Sequence, residues 1–202
     1  MFVVFEGIDN SGKSTLAKNV NKYFLDNYVS SWFTSEPTDS EIGKFTRRIL
    51  SGEIKLKDTE KTLSLLFSAD RAEHNIDIKE HLNNGEIVLC DRYYSSSIAY
   101  NCLNDKSFSL NLEYLNFKSF LKPDIIFYLN IDIDKSIKRL YNRGREIEIF
   151  ENKDYLTKVK KKYEEVLLNN ANYNVIILDA LKNEQELTDE CVKTIIKSLP
   201  KH

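Results

Sequence analysis

The chain has few of the residues that build disulfide frameworks, zinc sites or membrane spans. Its 202 residues include only three cysteines, Cys90, Cys102 and Cys191, and no two of them form a CxxC pair. This odd, scattered set argues against a zinc site and favours a reducing compartment. Apolar runs stay well below the roughly 20 residues of a bilayer-spanning helix, and a strand pattern starting at Phe2 leaves no room for a signal peptide. We therefore expect a cytoplasmic protein that does not associate with membranes.

The chain also lacks an excess of charge of either sign. Lys and Arg number 29, Asp and Glu number 31, and the formal net charge is −2. Without an overall basic field, non-specific binding of nucleic acid is not favoured. The hydrophobic share of 42% and the charged share of 30% are ordinary for a soluble globular protein. A single domain spanning residues 1–202 is the simplest organisation at this length.

A phosphate-binding pattern follows the first apolar run. Phe2–Phe5 is continuous enough for a strand buried on both faces, and the next residues match GxxxxGK[ST]. In this pattern the glycines let backbone N–H groups face an anion, Lys13 reaches the outer phosphates, and Ser14 can ligate Mg²⁺. The nucleotide-binding loop comprises Gly7, Ile8, Asp9, Asn10, Ser11, Gly12, Lys13, Ser14 and Thr15. Strand, loop and helix occur in the required order, which predicts binding of a nucleoside triphosphate with Mg²⁺.

Strand and helix patterns alternate five times along the chain. This alternation predicts an α/β protein with the three-layer sandwich of a P-loop NTPase, a five-stranded parallel sheet covered by helices on both faces. Within it, Ser109 is expected to cap a helix that ends near Leu121. Ligands of such sheets bind beyond the carboxyl ends of the strands. The P-loop, Glu36-Pro37 and Asp91-Arg92 should therefore line one cleft.

Two classes of P-loop protein can be tested on the sequence. A GTPase-like switch needs a DxxG element, yet no glycine downstream of the P-loop follows an Asp by three positions. The other class, a kinase for a small acceptor, needs a second anion site, an acceptor pocket and a charged lid. Arg92 at a strand end is a candidate for the second anion site, although an ion pair at a strand terminus would also explain the Asp91-Arg92 pair.

One helical face is a candidate for the acceptor pocket. The residues that share this face are Leu63, Leu66, Phe67, Asp70, Arg71 and His74. The stripe begins apolar and turns polar halfway, whereas a core helix would keep its charges outside. A flat aromatic ring followed one turn later by an arginine suits a planar base, although Phe67 alone could equally be a core residue.

Three segments of the chain together resemble the thymidylate kinase family. They are FEGIDNSGKST, LLFSADR (Leu65–Arg71) and DRYYSSSIAYN (Asp91–Asn101), and Pro123-Asp124 and Arg143-Gly144 fit as well. The resemblance implies transfer of a phosphoryl group from ATP to dTMP, giving dTDP for deoxynucleotide synthesis, and a homodimer. It also implies a short lid at about residues 142–152. Some members carry an arginine inside the P-loop, where this chain has Asn10, so the lid residues Arg143 and Arg145 would act instead.

The resemblance further implies roles for residues around the acceptor. Asp9 would face the sugar 3′-hydroxyl and the metal region, Phe67 would stack on thymine, and Arg71 would reach its O4. Arg92, which follows Asp91, would hold the acceptor phosphate. The remaining implied contacts are Pro37 beside the thymine methyl, Ser97 and Asn101 near the base, and Tyr100 near the sugar.

The chemistry requires no catalytic base, because an acceptor phosphate has a second pKa near ~6 and is already largely deprotonated at neutral pH. Catalysis would then rest on alignment and on charge neutralisation by Lys13, Mg²⁺ on Ser14, Arg92 and the lid arginines. Two alternatives stay open. One is a kinase for another nucleoside monophosphate or a deoxynucleoside, and the other is a nucleotide-binding regulator without turnover.

Overall fold

A computed structural model describes residues 1–142 and 152–199 of the chain. The strands are β1 Phe2–Glu6, β2 Ser31–Ser35, β3 Ile87–Asp91, β4 Ile125–Asn130 and β5 Val175–Asp179. The helices are α1 Lys13–Asp26, α2 Glu41–Leu50, α3 Thr59–Asn83, α4 Tyr94–Asn101, α5 Lys106–Ser119, α6 Ile133–Asn142, α7 Lys153–Leu168 and α8 Glu184–Ser198. Residues 143–151 of the predicted lid, with Arg143 and Arg145, lie outside the described residues.

The five strands form one parallel sheet in the order β2-β3-β1-β4-β5. β1 is central, and Phe5 lies in register with Asp91 on one side and Phe127 on the other. Every residue of β1 and β3 is buried, as the unbroken apolar runs predict for strands covered on both faces. The predicted α/β sandwich is confirmed, and the carboxyl ends of all five strands meet at one edge of the sheet.

The chain leaves β1 through a tight loop that requires glycine at both ends. Gly7 has φ 148°, and a Cβ there would lie 2.9 Å from the Leu129 carbonyl oxygen. Gly12 has φ 101° and directly precedes α1. Both conformations are unfavourable for residues that carry a side chain. The loop therefore delivers the start of α1 to the edge where the strands end.

The start of α2 has a side-chain cap, and the start of α5 differs from the sequence prediction. Ser40 caps α2 by accepting a hydrogen bond from the Gly43 N–H. The prediction that Ser109 caps the next long helix is wrong, because α5 starts at Lys106 and Asp105 accepts from the Phe108 N–H. Ser109 instead lies buried one turn inside α5. Asp is as good an N-cap residue as Ser, so the sequence offered Asp105 as well as Ser109 as a possible start of this helix.

No sequence signal indicated α4, which directly follows Arg92 and Tyr93. This eight-residue helix contains three consecutive serines, has Tyr93 as its N-cap, and receives no cap from the Tyr93 side chain. Nearly all of its residues are buried, so no amphipathic stripe marks it in the sequence. Tertiary burial rather than local propensity holds this segment helical.

Cys90, Cys102 and Cys191 are free and buried, in agreement with the expected absence of disulfides. Within residues 1–142 and 152–199, none of the helices is long and apolar enough to cross a membrane.

Candidate functional site: two cavities around the P-loop

The main cavity opens beyond the carboxyl ends of β1, β2 and β3 and has a volume of about 180 Å³. Of the candidate helical face, only Phe67 and Arg71 line this cavity, whereas Leu63, Leu66, Asp70 and His74 do not. The cavity collects all eight residues that the family resemblance assigned to acceptor binding. These are Asp9, Pro37, Phe67, Arg71, Arg92, Ser97, Tyr100 and Asn101. Three separate sequence segments thus converge on one cavity, as the parallel topology predicts. The wall also includes Glu36, which the sequence placed in the cleft. It further includes Leu50, Tyr93 and Ser96, for which the sequence predicted no role.

Asp9 lies between the P-loop lysine and the strand-end arginine. Its Oδ1 is 4.0 Å from Lys13 Nζ and is bonded by Arg92 Nη2. Its Oδ2 accepts a 2.8 Å bond from the Tyr100 hydroxyl, which in turn accepts from the Asp9 N–H at 2.8 Å. Burial alone would raise the pKa of Asp9, but the charges of Arg92 and Lys13 hold it below its ordinary value. Asp9 is therefore an anion that two neighbouring cations share.

Lys13 is buried at the start of α1, and its Nζ donates to the Ile8 carbonyl oxygen at 3.2 Å. Burial, followed by the positive charge of Arg92, lowers the pKa of Lys13 to about 8. Two cations this close disfavour each other's charge, so the site is electrostatically ready for additional negative groups. A phosphate chain on the P-loop would supply them.

Arg92 has an unusual backbone conformation for a residue with a side chain, with φ 70°. Its guanidinium lies over the Tyr100 ring, 5.1 Å from the centroid, and Nη1 donates to Ser96 Oγ at 3.3 Å. Although burial disfavours its charge, the Asp9 carboxylate holds the pKa of Arg92 well above its usual value. Arg92 is thus a permanent cation aimed into the cavity. Its partner is Asp9 rather than the adjacent Asp91.

Arg71 forms the buried end of the cavity together with Glu36. Its Nε and Nη2 donate to Glu36 Oε2 at 2.9 and 2.5 Å, Nη2 donates to Ser97 Oγ at 3.0 Å, and Nη1 donates to Asn116 Oδ1 at 2.7 Å. Within the described part of the chain, these bonds occupy four of the five guanidinium N–H groups. The other Glu36 oxygen lies 3.1 Å from His74 Nδ1. The sequence predicted neither the Glu36 pairing nor the role of Asn116, because these contacts join segments far apart in the chain.

Asp91 has a free oxygen that could serve a metal. Its side chain is buried, and Oδ1 has no hydrogen-bond partner among the described residues. Ser14 lies exposed in the first turn of α1. A hydroxyl and a carboxylate are hard oxygen donors of the kind that Mg²⁺ prefers, with phosphate oxygens and water completing its shell. The residues present fit Mg²⁺, although no cluster of three or more His, Cys, Asp or Glu occurs among the described residues.

A second cavity of about 290 Å³ lies on the far side of the P-loop. Arg139, on α6, donates to the Ser11 carbonyl oxygen at 2.9 Å and to the Ala180 carbonyl oxygen at 2.8 Å. It thereby joins the P-loop to the turn after β5. Arg139 belongs to none of the sequence motifs, since it lies one helical turn before the predicted lid arginine Arg143. The proximity of Arg139 to Arg143-Gly144, one helical turn away, was the feature of the sequence that could have indicated a role at the nucleotide site.

Comparison with known proteins agrees with this geometry. A sequence profile described as thymidylate kinase matches residues 5–191. Similar curated proteins include a probable thymidylate kinase of Methanocaldococcus jannaschii, 41% identical over 99% of this chain and 97% of its own length. The thymidylate kinase of Leptospira interrogans is 35% identical over 98% of this chain and 95% of its own. A solved structure of thymidylate kinase from Candida albicans superposes with a TM-score of 0.81 at 29% identity, covering 97% of this chain and 91% of that one. The chain belongs to the thymidylate kinase family.

Proposed function

We propose that the protein phosphorylates dTMP to dTDP with Mg²⁺-ATP as phosphoryl donor. The observation that carries the proposal is the position of Asp9, whose single carboxylate contacts Lys13 of the P-loop and Arg92 of the main cavity. Two phosphate-binding cations this close place a donor phosphate chain and an acceptor phosphate side by side. Such proximity is the main requirement of phosphoryl transfer, which needs alignment and charge neutralisation more than covalent chemistry.

The donor would occupy the P-loop and the second cavity. The P-loop N–H groups and Lys13 would hold the phosphates, and the base would extend toward Arg139 and the turn after β5. Mg²⁺, held through Ser14 with Asp91 nearby, would neutralise charge on the phosphate oxygens. Residues 143 and 145 are the arginines that we expect to act from the lid.

The acceptor would occupy the main cavity. Phe67 offers an aromatic face, and the Arg71 and Ser97 side chains lie at the buried end where the polar edge of thymine would be read. Arg92 would hold the acceptor phosphate at the P-loop end, beside Tyr100 and Asp9. The cavity thus offers an aromatic face and polar groups for a base and a cation for a phosphate.

The acceptor phosphate attacks in its deprotonated form, so no side chain has to remove a proton at neutral pH. The chain's residues orient the two phosphates and exclude water, which would otherwise compete as acceptor. A homodimer and a cytoplasmic location remain predictions from the sequence.

The test is an ADP-release assay with Mg²⁺-ATP and, separately, dTMP, dUMP, UMP, AMP, CMP and thymidine. We expect the highest kcat/KM with dTMP. A higher kcat/KM with another monophosphate would show that dTMP is not the preferred acceptor. A higher value with thymidine would refute a phosphate-binding role for Arg92. Tight ATP binding without turnover would identify a regulator.

A further inference from the structure

Glu6 is a buried carboxylate that none of the roles above uses. It ends β1, directly before the P-loop, and its side chain is fully inaccessible to solvent. Oε1 accepts from the Tyr93 and Ser96 N–H groups at 3.1 and 3.2 Å. Oε2 accepts from the Ser96 and Tyr163 hydroxyls at 2.6 and 3.0 Å. Four donors on one buried carboxylate indicate a dedicated position rather than incidental burial.

Two of these donors fix the backbone on the C-terminal side of Arg92. The Arg92 N–H donates to the Phe5 carbonyl oxygen at 3.0 Å, and the following N–H, that of Tyr93, donates to Glu6. Between these two bonds Arg92 has φ 70°. A residue with a side chain is strained in this conformation, which persists only where the surroundings over-determine it. Glu6 provides one of the two bonds that do so.

The other two donors set the polarity around the Arg92 side chain. The Ser96 and Tyr163 hydroxyls lie 2.7 Å apart, and both have Glu6 Oε2 as an acceptor. An ionised carboxylate only accepts, so it draws the hydrogen of the Ser96 hydroxyl to itself. The Ser96 lone pairs are then left to accept from Arg92 Nη1, at 3.3 Å. Asp9 holds the other end of the guanidinium. The guanidinium is therefore held from both sides, directly by Asp9 and through Ser96 by Glu6.

Glu6 also supplies the N-terminal cap that α4 lacks in its own sequence. The N-cap residue of α4, Tyr93, offers no side-chain cap, and Glu6 accepts from the N–H groups at the start of this helix instead. A carboxylate near a helix N-terminus is favourable for that helix. Ser97, Tyr100 and Asn101 of the main cavity all lie on α4. Glu6 thus orients one whole wall of the cavity together with Arg92.

We propose that Glu6 is the positioning residue for Arg92, fixing both the backbone turn and the hydroxyl that aim its guanidinium at the acceptor phosphate. The proposal rests on the proposed function for the identity of that phosphate. Burial raises the pKa of Glu6 to about 7, against the hydrogen bonds and the charge of Arg92. Glu6 is therefore ionised in the folded chain mainly above pH 7, where its charge is disfavoured by burial, and such perturbed groups occur frequently at functional sites.

The decisive variant is Glu6→Gln, which keeps the shape but turns an acceptor into a donor at Oε2. The two hydroxyls can then no longer both donate to it, so one hydroxyl hydrogen loses its acceptor. We expect kcat/KM for dTMP to fall at least tenfold while the KM for ATP stays within twofold. The matched control is Glu86→Gln, a half-buried glutamate at the opposite end of β3 that contacts His81, and it should leave both parameters unchanged.

A purely structural role would give a different pattern. It would lower the unfolding midpoint of Glu6→Gln at pH 8 and would affect both substrates alike. Either an unchanged kcat/KM for dTMP or an equal change in both KM values would overturn the proposal. In an Arg92→Lys background, Glu6→Gln should add less than a threefold further loss, because the group that it positions is already displaced. Full additivity would also contradict the proposal.

The two proposals can fail separately. If the wild-type chain phosphorylates none of the acceptors, the proposed function fails. The positioning role is then tested by crystal structures of the wild-type chain and Glu6→Gln. We expect the Ser96–Arg92 hydrogen bond to be lost and the guanidinium to move in the variant. An Arg92 side chain that stays in place in Glu6→Gln would overturn the role.

Discussion

At the scale of single residues, the site depends on a compact alternation of charge. Lys13, Asp9 and Arg92 lie in a row, and the carboxylate in the middle compensates two cations that would otherwise repel. A bound pair of phosphates would take over this compensation, which frees Asp9 for the acceptor sugar. The same row explains why burial and Arg92 together lower the pKa of Lys13.

Lys13→Ala tests the donor side of this row. Removing the charge leaves the outer phosphates without their cation in the transition state, so we expect kcat to fall by about 10²–10³-fold or more. The fold should persist, because among the described residues Lys13 bonds only to the Ile8 carbonyl within its own loop and lies near Asp9. Steady-state kinetics measures kcat, and circular dichroism measures whether the fold persists. Lys18→Ala, on the exposed side of α1, is the control, and near-normal activity of Lys13→Ala would contradict the P-loop assignment.

Arg71→Lys tests the base end of the main cavity. A lysine keeps the charge beside Glu36 but cannot reproduce the planar fork that reaches Glu36, Ser97 and Asn116 together. We expect the KM for dTMP to rise at least tenfold and the KM for ATP to stay within twofold. Arg48→Lys, in an exposed ion pair with Glu53, is the matched control. An equal rise in both KM values would mean that Arg71 does not lie at the base.

At the scale of elements, the loop after β2 is held by a carboxylate of α3 and by Arg47 of α2, which donates to the Pro37 and Thr38 carbonyl oxygens at 2.5 and 2.6 Å. Asp70 is buried and accepts from the Thr38 N–H at 2.7 Å, from the Thr38 hydroxyl at 2.5 Å and from the Ser40 hydroxyl at 2.7 Å. Ser40 in turn caps α2. This cluster fixes Pro37 against the main cavity, so the polar half of the stripe on α3 is partly structural.

Asp70→Asn should therefore lower stability and loosen the cavity. The amide keeps one acceptor oxygen and loses the other, which leaves at least one buried donor unsatisfied. We expect the free energy of unfolding to fall by about 1–3 kcal/mol, measured by urea denaturation. The KM for dTMP should rise as well. Asp77→Asn, exposed on the same helix, should change neither quantity, and a stable Asp70→Asn would show that the loop is held by other contacts.

At the scale of the whole molecule, Glu6 ties the stability to pH. Burial raises the pKa of Glu6 from 4.5 to about 7, so between these values the folded chain binds a proton that the unfolded chain has released. The stabilisation by this proton is fully present below pH 4.5 and is lost as the pH rises through 7. Its size is about 3 kcal/mol. The groups that influence the pKa of the Glu6 carboxylate are Arg92, Tyr93 and Ser96, in and just before α4, and Tyr163 on α7.

We therefore predict that the free energy of unfolding of the wild-type chain contains a component that declines between pH 5 and 7.5. Glu6→Gln, which cannot ionise, should lack it and be at least as stable as wild type at pH 8. Urea denaturation of both proteins across this range measures the difference. Titration of Lys13 does not contribute in this pH range, because its pKa of about 8 makes it affect the free energy of unfolding only at higher pH. Parallel pH profiles for the two proteins would refute the prediction.

The sequence by itself determined the order of the strands, the P-loop and the edge of the sheet at which the site lies. These features follow from local rules, namely glycine where φ is positive, apolar runs where strands are buried, and parallel strands that end at one edge. The family resemblance, rather than these rules, named the acceptor residues. The eight predicted acceptor residues all line the main cavity.

The tertiary structure alone decided how those residues are connected. Glu36 pairs with Arg71 across 35 positions, Glu6 caps α4 across 90 positions, and Arg139 joins the P-loop to the turn after β5. Each of these contacts joins charges and backbone groups that are far apart in the chain, and many alternative partners would fit the same residue types. Burial selects among them, because inside the protein every polar group needs a partner and only the folded topology brings the right one within reach.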